Sequence, residues 1–282
     1  MKNILEYIEL NASKYADKTA FSDYENSITY FGLLDCSKRI GSAVSAVNTK
    51  NKPVAIYLDK GINLLCAMFG VVYSGNFYVV IDSEMPPERI NKIFTTLNPV
   101  AIITDETHLE NSSQLDFSGE RFMFENAVSA EINEERLSEI RSRQIDTDPL
   151  YALYTSGSTG VPKGAVVSHK SVIAYAGWFS NAFNITAETV FGNQTPFYFS
   201  MSVSDIYSTI VNGATLVIVP KMYFSFPIKL VEFLNERMVN TIYWVPSAIS
   251  IVSNLKLFNF AKPEFLKKVL FAGEVMPTKQ LN

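Results

Sequence analysis

The sequence predicts an α/β fold with layered, mostly parallel sheets covered by helices. Three observations predict it. Apolar runs at 53–58, 77–81 and 100–104 are unbroken rather than alternating, as in strands buried on both faces. Between them lie longer segments whose apolar residues recur at helical spacing. The 282 residues, 48% of them hydrophobic, are enough for one large domain or two lobes with ample core. The expected division is two α/β lobes, about 45–175 and 1–44 together with 176–282.

The elements follow in order. Residues 3–15 place Ile4, Leu5, Ile8 and Tyr15 near one face of an amphipathic helix. A short strand at 27–30 leads into a helix over about 31–47, and 53–58 is a strand. From Ile62 to Ile81 there is no charge, which raises the question of a membrane span. The cluster Ser74-Gly75-Asn76 breaks that stretch as a turn, so a buried helix feeding the strand 77–81 is the better reading. Pro86-Pro87 opens another helix, since proline is tolerated in a first turn. The strand 100–104 closes that unit. Residues 131–143 are charged on most faces and predict an exposed helix. Its Glu131, Glu134, Glu135 and Glu139 read as a solvated face, not as paired catalytic acids. Apolar strands are expected at 150–154, 165–167, 216–219, 241–245 and 269–271. Helices are expected over about 170–183, 202–211, 226–237 and 247–255. Trp178 and Trp244 sit in apolar segments and are assigned to the core.

Composition excludes several function classes. The net charge of −4 is dispersed and leaves no basic face, so no nucleic-acid partner is expected. Cys36 and Cys66 have neither metal nor redox spacing and read as reduced core thiols of a cytoplasmic protein. The start, Met1-Lys2-Asn3-Ile4-Leu5-Glu6, carries an early acid and no long apolar core, so it is not read as a signal peptide. No membrane association and no metal-ligand set among the side chains is expected. His108 lies among polar loop residues and reads as solvated. His169 follows a strand and opens a helix, which favours a capping or packing role over catalysis.

The chemistry concentrates in one segment, Tyr154-Thr155-Ser156-Gly157-Ser158-Thr159-Gly160-Val161-Pro162-Lys163-Gly164. It is a loop of small, hydroxyl-bearing and glycine residues with one lysine, set between two apolar strands. Unshielded backbone N–H groups, hydroxyl donors and a positive charge make a phosphate cradle. It is not a P-loop, because Pro162 precedes the lysine, Gly164 follows it, and a strand rather than a helix comes next.

This segment resembles the signature of the adenylate-forming enzymes: acyl-CoA synthetases, luciferases and the adenylation domains of nonribosomal peptide synthetases. Other elements are similar in the same order. Ile28-Thr29-Tyr30 with Leu33-Leu34 resembles the family's "TY..L" element. The run from Tyr73 to Asp82 resembles "KAGGAYVPLD", with Tyr73 and Val80 replacing the usual lysine and proline. Asp205-Ile206-Tyr207 and Gly213-Ala214-Thr215-Leu216 also follow the pattern. The amino-acid adenylation branch, such as D-alanine–carrier protein ligases, is the most similar in flavour.

The resemblance implies a ligase that uses ATP and Mg2+ to turn a small carboxylic acid into an acyl-adenylate and pyrophosphate. It also implies transfer of the acyl group to a carrier-protein phosphopantetheine or to coenzyme A. Lys163 and Thr155 are the implied catalytic residues. Thr155, Ser156, Gly157, Ser158, Thr159, Gly160, Lys163 and Gly164 would hold the phosphates, with Gly273 and Glu274 beside the adenine. Phe199, Ser200, Met201, Ser204, Ser247, Leu270 and Ala272 would line the acid pocket. Ser200 departs from the pattern, for most α-amino-acid activators carry an aspartate there to pair the substrate ammonium, and a hydroxyl cannot supply that charge. Asp205 falls at a helix position of the family and is not read as its replacement. The family's "YGPTE" segment, ribose-binding aspartate and lysine-bearing C-terminal lobe have no counterpart in these residues. The chain therefore resembles roughly the first half of such an enzyme, with little or no turnover expected from it alone. Two other readings stay open: an acyl-CoA synthetase for a non-amino acid, and an inactive, truncated nucleotide-binding module.

Overall fold

Strands and helices alternate along almost the whole chain. A computed structural model describes residues 1–155, 162–254 and 262–281. The order is α1 (Leu5–Lys14), β1 (Thr19–Ser22), β2 (Ser27–Thr29), α2 (Tyr30–Val44), β3 (Pro53–Tyr57), α3 (Ile62–Tyr73), β4 (Phe77–Val80) and α4 (Pro87–Leu97). Then come β5 (Ala101–Thr104), α5 (Leu109–Ser113), β6 (Glu120–Met123), α6 (Phe124–Val128), α7 (Glu134–Ser142), β7 (Pro149–Thr155), β8 (Lys163–Ser168) and α8 (His169–Phe183). The last are β9 (Val190–Asn193), α9 (Ser202–Asn212), β10 (Thr215–Ile218), α10 (Pro227–Glu236), β11 (Thr241–Trp244), α11 (Pro246–Asn254), β12 (Lys268–Phe271) and α12 (Thr278–Leu281).

The chain divides into two compact units, 1–17 with 30–174 and 18–29 with 175–282. The expected division grouped all of 1–44 with the C-terminal segment. Only 18–29 belongs there, because β1 pairs in parallel with β10 and carries β2 with it. Helices α1 and α2 stay with the first unit, where α2 packs on α3.

The first unit holds a six-stranded sheet in the order β6-β5-β3-β4-β7-β8, parallel except for β8. Ala55 on β3 pairs with Val79 on β4 and Ile102 on β5, and all three are buried. With Ile90 and Phe94 of α4 they form a continuous core. The uncharged stretch resolves as expected into α3 and β4. Positions 64–73 of α3 are all buried, so a charge at any of them would have to leave water. Among the described residues no helix is long and apolar enough to cross a membrane. The exposed helix α7 starts later than predicted. Asn133 caps it, its side chain accepting from the Arg136 N–H at 2.9 Å, so Glu131 lies outside the helix.

The second unit holds a six-stranded sheet in the order β12-β11-β9-β10-β1-β2, parallel except for β2. Val217, Leu230, Phe233, Leu234, Ile242 and Trp244 form its core. Trp244 is buried as predicted and donates its indole N–H to the Gly192 carbonyl at 2.6 Å. Trp178 is not in the core and is 59% exposed. It lies on the solvent side of α8, where helical spacing alone does not separate a buried face from an open cleft. Strands β1, β6 and β9 were not expected. Each is four residues long, and β6 opens on the polar pair Glu120-Arg121.

His108 is also corrected. It is buried, with Nδ1 2.6 Å from Asp105 and Nε2 3.1 Å from Asp59. Its ring meets Tyr57 edge-on at 5.4 Å. The histidine ties the loop after β3 to the loop after β5, two segments that are adjacent only because their strands pair.

Candidate functional site

The segment expected to cradle phosphate is flanked by two paired strands. Strands β7 and β8 are antiparallel, and their register sets Thr155 opposite Lys163 and Tyr154 opposite Gly164. The two ends of the predicted cradle therefore face each other across its mouth. Ser156, Gly157, Ser158, Thr159 and Gly160 lie outside the described residues. Lys163 is exposed and makes no ion pair among the described residues. Gly164 has a steric reason to be glycine: a Cβ there would come within 2.8 Å of the Tyr154 ring. That ring packs against the core of the first unit, and Tyr151 stacks on Tyr78 at 5.8 Å, so the hairpin stalk is anchored.

His169, directly after β8, is held in place by structure. Its Nδ1 accepts the Ile4 N–H at 3.3 Å, and its backbone N–H donates to the Asp148 carbonyl at 3.2 Å. Burial, helped by the Arg141 charge and opposed by Asp148, pushes its pKa down to about 4. It is a neutral acceptor at neutral pH. Asp148 is itself lowered. Its burial acts the other way but is outweighed by hydrogen bonds from the Ile145 N–H, Asn51 and Lys50.

The acid-pocket candidates and the adenine-side pair belong to the second unit. Phe199 and Ser200 are exposed just before α9, with the Phe199 ring 5.0 Å from that of Tyr198. Met201 stands at the boundary just before α9 and is half-buried. Ser204 is buried, and its hydroxyl shares a hydrogen bond of 2.7 Å with the Tyr175 hydroxyl. Asp205 is buried too, accepting from Asn193 Nδ2 at 2.8 Å on β9.

Ser247 and Glu274 meet. The Ser247 N–H and hydroxyl donate to the Glu274 carboxylate at 2.9 and 3.1 Å. This bond fixes the start of α11 to the turn after β12. That turn needs Gly273, whose φ of +91° is one that side-chain-bearing residues rarely adopt. Ala272, between β12 and the turn, is half-buried.

Leu270 faces a cleft of about 430 Å³ between α8 and the β11–β12 end of the sheet. Tyr175, Trp178, Phe179, Tyr243 and Phe271 line it as well. The sequence reading did not single these aromatics out. Their signal is the spacing of Tyr175, Trp178, Phe179 and Phe183 along one helix face. Among the described residues, no group of three or more His, Cys, Asp or Glu is placed to hold a metal ion.

Residues 8–281 match the family described as AMP-binding enzyme. The chain is 29% identical to a D-alanine–D-alanyl carrier protein ligase of Staphylococcus haemolyticus, over 98% of this chain and 55% of the relative. It is 27% identical to an L-proline–[L-prolyl-carrier protein] ligase of Pseudomonas fluorescens, over 100% of this chain and 58% of the relative. The chain thus spans about half the length of the curated relatives it matches. Among solved structures, the nonribosomal peptide synthetase FmoA3 superposes with a TM-score of 0.86 at 20% identity, over 99% of this chain and 29% of that one. A fatty acyl-adenylate ligase from L. pneumophila gives 0.84 at 19% identity, over 100% of this chain and 51% of that one. At such identities the structural likeness speaks for the fold alone. The family match runs through nearly the whole sequence and includes both sheets and the β7–β8 hairpin, so the chain belongs to the AMP-binding enzyme family.

Proposed function

We propose that this chain provides the nucleotide- and acid-binding part of an ATP-dependent ligase. The ligase joins a small carboxylic acid to AMP with release of pyrophosphate, then passes the acyl group to a carrier-protein phosphopantetheine thiol. The observation that carries this is the hairpin mouth, with Lys163 set opposite Thr155 at the two ends of the hydroxyl-rich segment. The described donors fit a triphosphate: an exposed ammonium without an ion-pair partner among the described residues, beside a strand ending in threonine. The names of relatives that load amino acids onto carrier proteins, and a solved FmoA3 complex with AMPPNP, support the same reading.

When bound, ATP supplies the α-phosphorus that the carboxylate attacks and the pyrophosphate that leaves. Lys163 would hold the negative charge that builds on the departing group. Ser156, Ser158, Thr159 and the glycine N–H groups of that segment would share the task, and Thr155 would help position the phosphates. Glu274, held by Ser247, would keep the turn at Gly273 in place beside the adenine. Phe199, Ser200, Met201, Ser204, Leu270 and Ala272 would border the acid. Mg2+ would enter on the triphosphate, as it does in sites that bind it largely through phosphate oxygens.

ATP–pyrophosphate exchange with the full-length gene product, over a panel of amino, hydroxy and aryl acids, tests the proposal. Exchange with at least one acid is expected, and Lys163→Ala should lower it by about 100-fold. No exchange with any acid would sink the reading. The exposed hydroxyl of Ser200, at a position where amino-acid activators carry a carboxylate, favours one second reading: an acyl-CoA synthetase for a non-amino acid. Thioester formed on coenzyme A but not on a phosphopantetheinylated carrier would select it.

A further inference from the structure

Two nucleophilic side chains that the proposed reaction does not use meet in the core of the first unit. Cys36 stands on α2 and Cys66 on α3, and α2 packs along α3. Small residues set the seam between these helices. A Cβ on Gly70 would lie 2.4 Å from the Ile40 Cγ2, so the two backbones come close at that level. Gly41, next along α2, meets Tyr73, further along α3, so the helices run the same way. Cys36 and Cys66 lie about one turn before Ile40 and Gly70 on their respective helices, which returns both to the same seam. There the Cys66 thiol is hydrogen-bonded to Cys36. The two cysteines are far apart in sequence, and only the α2–α3 packing makes them a pair.

Their surroundings give them different roles. Cys66 is 1% exposed and Cys36 7%, so Cys36 is the one nearer solvent. Arg39, also on α2, is within electrostatic reach of Cys36, and its Nε donates to Asp35 at 2.7 Å. The guanidinium supplies a positive charge beside a thiolate formed at Cys36. The bond to Cys36, with burial adding to it, pushes the Cys66 thiol well above its ordinary pKa, so it stays protonated at neutral pH.

We propose that Cys36 and Cys66 form an oxidation site, closing a reversible disulfide that clamps α2 to α3. The oxidant is a small hydroperoxide such as hydrogen peroxide. The Cys36 thiolate attacks one peroxide oxygen: the S–O bond forms, the O–O bond breaks, and the leaving hydroxide takes up the proton that Cys36 released. The Cys66 sulfur then attacks the resulting Cys36 sulfenic sulfur. The S–S bond forms, the S–O bond breaks, and the departing oxygen leaves as water with the Cys66 proton. Two thiols are oxidised and one peroxide is reduced to two waters. A dithiol reverses the step by exchange. Neither cysteine belongs to the proposed nucleotide or acid site, so the inference stands apart from the ligase reading.

The full-length protein, treated with hydrogen peroxide under native conditions, alkylated and digested, reads the outcome by mass. The expected product is a linked Cys36–Cys66 peptide pair, lighter by two hydrogens than the two reduced peptides together and returned to alkylatable thiols by dithiothreitol. Peroxide should also raise the thermal midpoint by about 5 °C, and dithiothreitol should abolish the rise. In Cys66→Ala the rise should be absent. Thiols that stay fully alkylatable in the native protein, a link that forms only in urea, or oxidation that ends at sulfinic or sulfonic acid would each overturn the site. A native link with no rise in midpoint, or a rise that persists in Cys66→Ala, would overturn the clamp.

Discussion

His169 occupies a position where a catalytic base might be sought, yet its surroundings make it a structural acceptor. Its ring nitrogen takes the Ile4 N–H, and burial with the Arg141 charge holds its pKa near 4 instead of the usual 6.5. The folded state therefore binds this proton less readily than the unfolded chain. Stability from the neutral ring is complete above pH 6.5 and is lost as pH falls through the window down to about 4. The full loss is about 3 kcal/mol. Urea unfolding between pH 7.5 and 4.5 should show a falling midpoint in the wild type and a shallower fall in His169→Gln. Identical pH slopes would contradict the assignment. The bond between Glu274 and Ser247 gives a second residue-scale expectation. Glu274→Ala should cost about 1 kcal/mol by removing a helix-end acceptor, and it should weaken nucleotide binding if the adenine lies there. Residue roles were only partly legible in the sequence. His169 as a packing residue followed from its place between strand and helix. His108 did not, because the carboxylates that enclose it stand on two separate loops, one of them 49 positions away.

Helices α2 and α3 cross at glycine positions, and the contact is tight. A Cβ on Gly41 would lie 2.4 Å from the Tyr73 Cβ and 3.1 Å from the Gly70 carbonyl. A Cβ on Gly70 would lie 2.4 Å from the Ile40 Cγ2. Neither contact is a flexible side-chain tip, so the helices must part. Gly41→Ala should destabilise by about 2–3 kcal/mol, read as a lower urea midpoint. Gly177 on α8 is the contrast, because nothing lies within 4 Å of where its Cβ would be. Gly177→Ala should stabilise by about 0.5–1 kcal/mol through helix propensity alone. If both changes destabilise equally, the packing account is wrong. The sequence makes α3 legible, since a charge-free run followed by a Ser-Gly-Asn turn leaves few alternatives. It does not separate Gly41 from Gly177, two helical glycines whose environments differ only through what is packed against them.

For the molecule as a whole, the proposed nucleotide site implies linkage between binding and stability. AMPPNP at about one hundred times its Kd should stabilise the folded chain by about 2.7 kcal/mol, seen as a rise in Tm. Lys163→Ala should shrink that rise, and no rise at saturating nucleotide would count against the site. The sequence by itself determined the α/β class and the family. Those properties reside in periodicity and in contiguous residues, which neighbouring positions fully specify. Only the tertiary structure decided the strand orders, the transfer of 18–29 to the second unit through the β1–β10 pairing, and the meeting of Tyr175 with Ser204. These depend on contacts between residues far apart in the chain, where burial and strand pairing choose the partner and no local pattern records the choice.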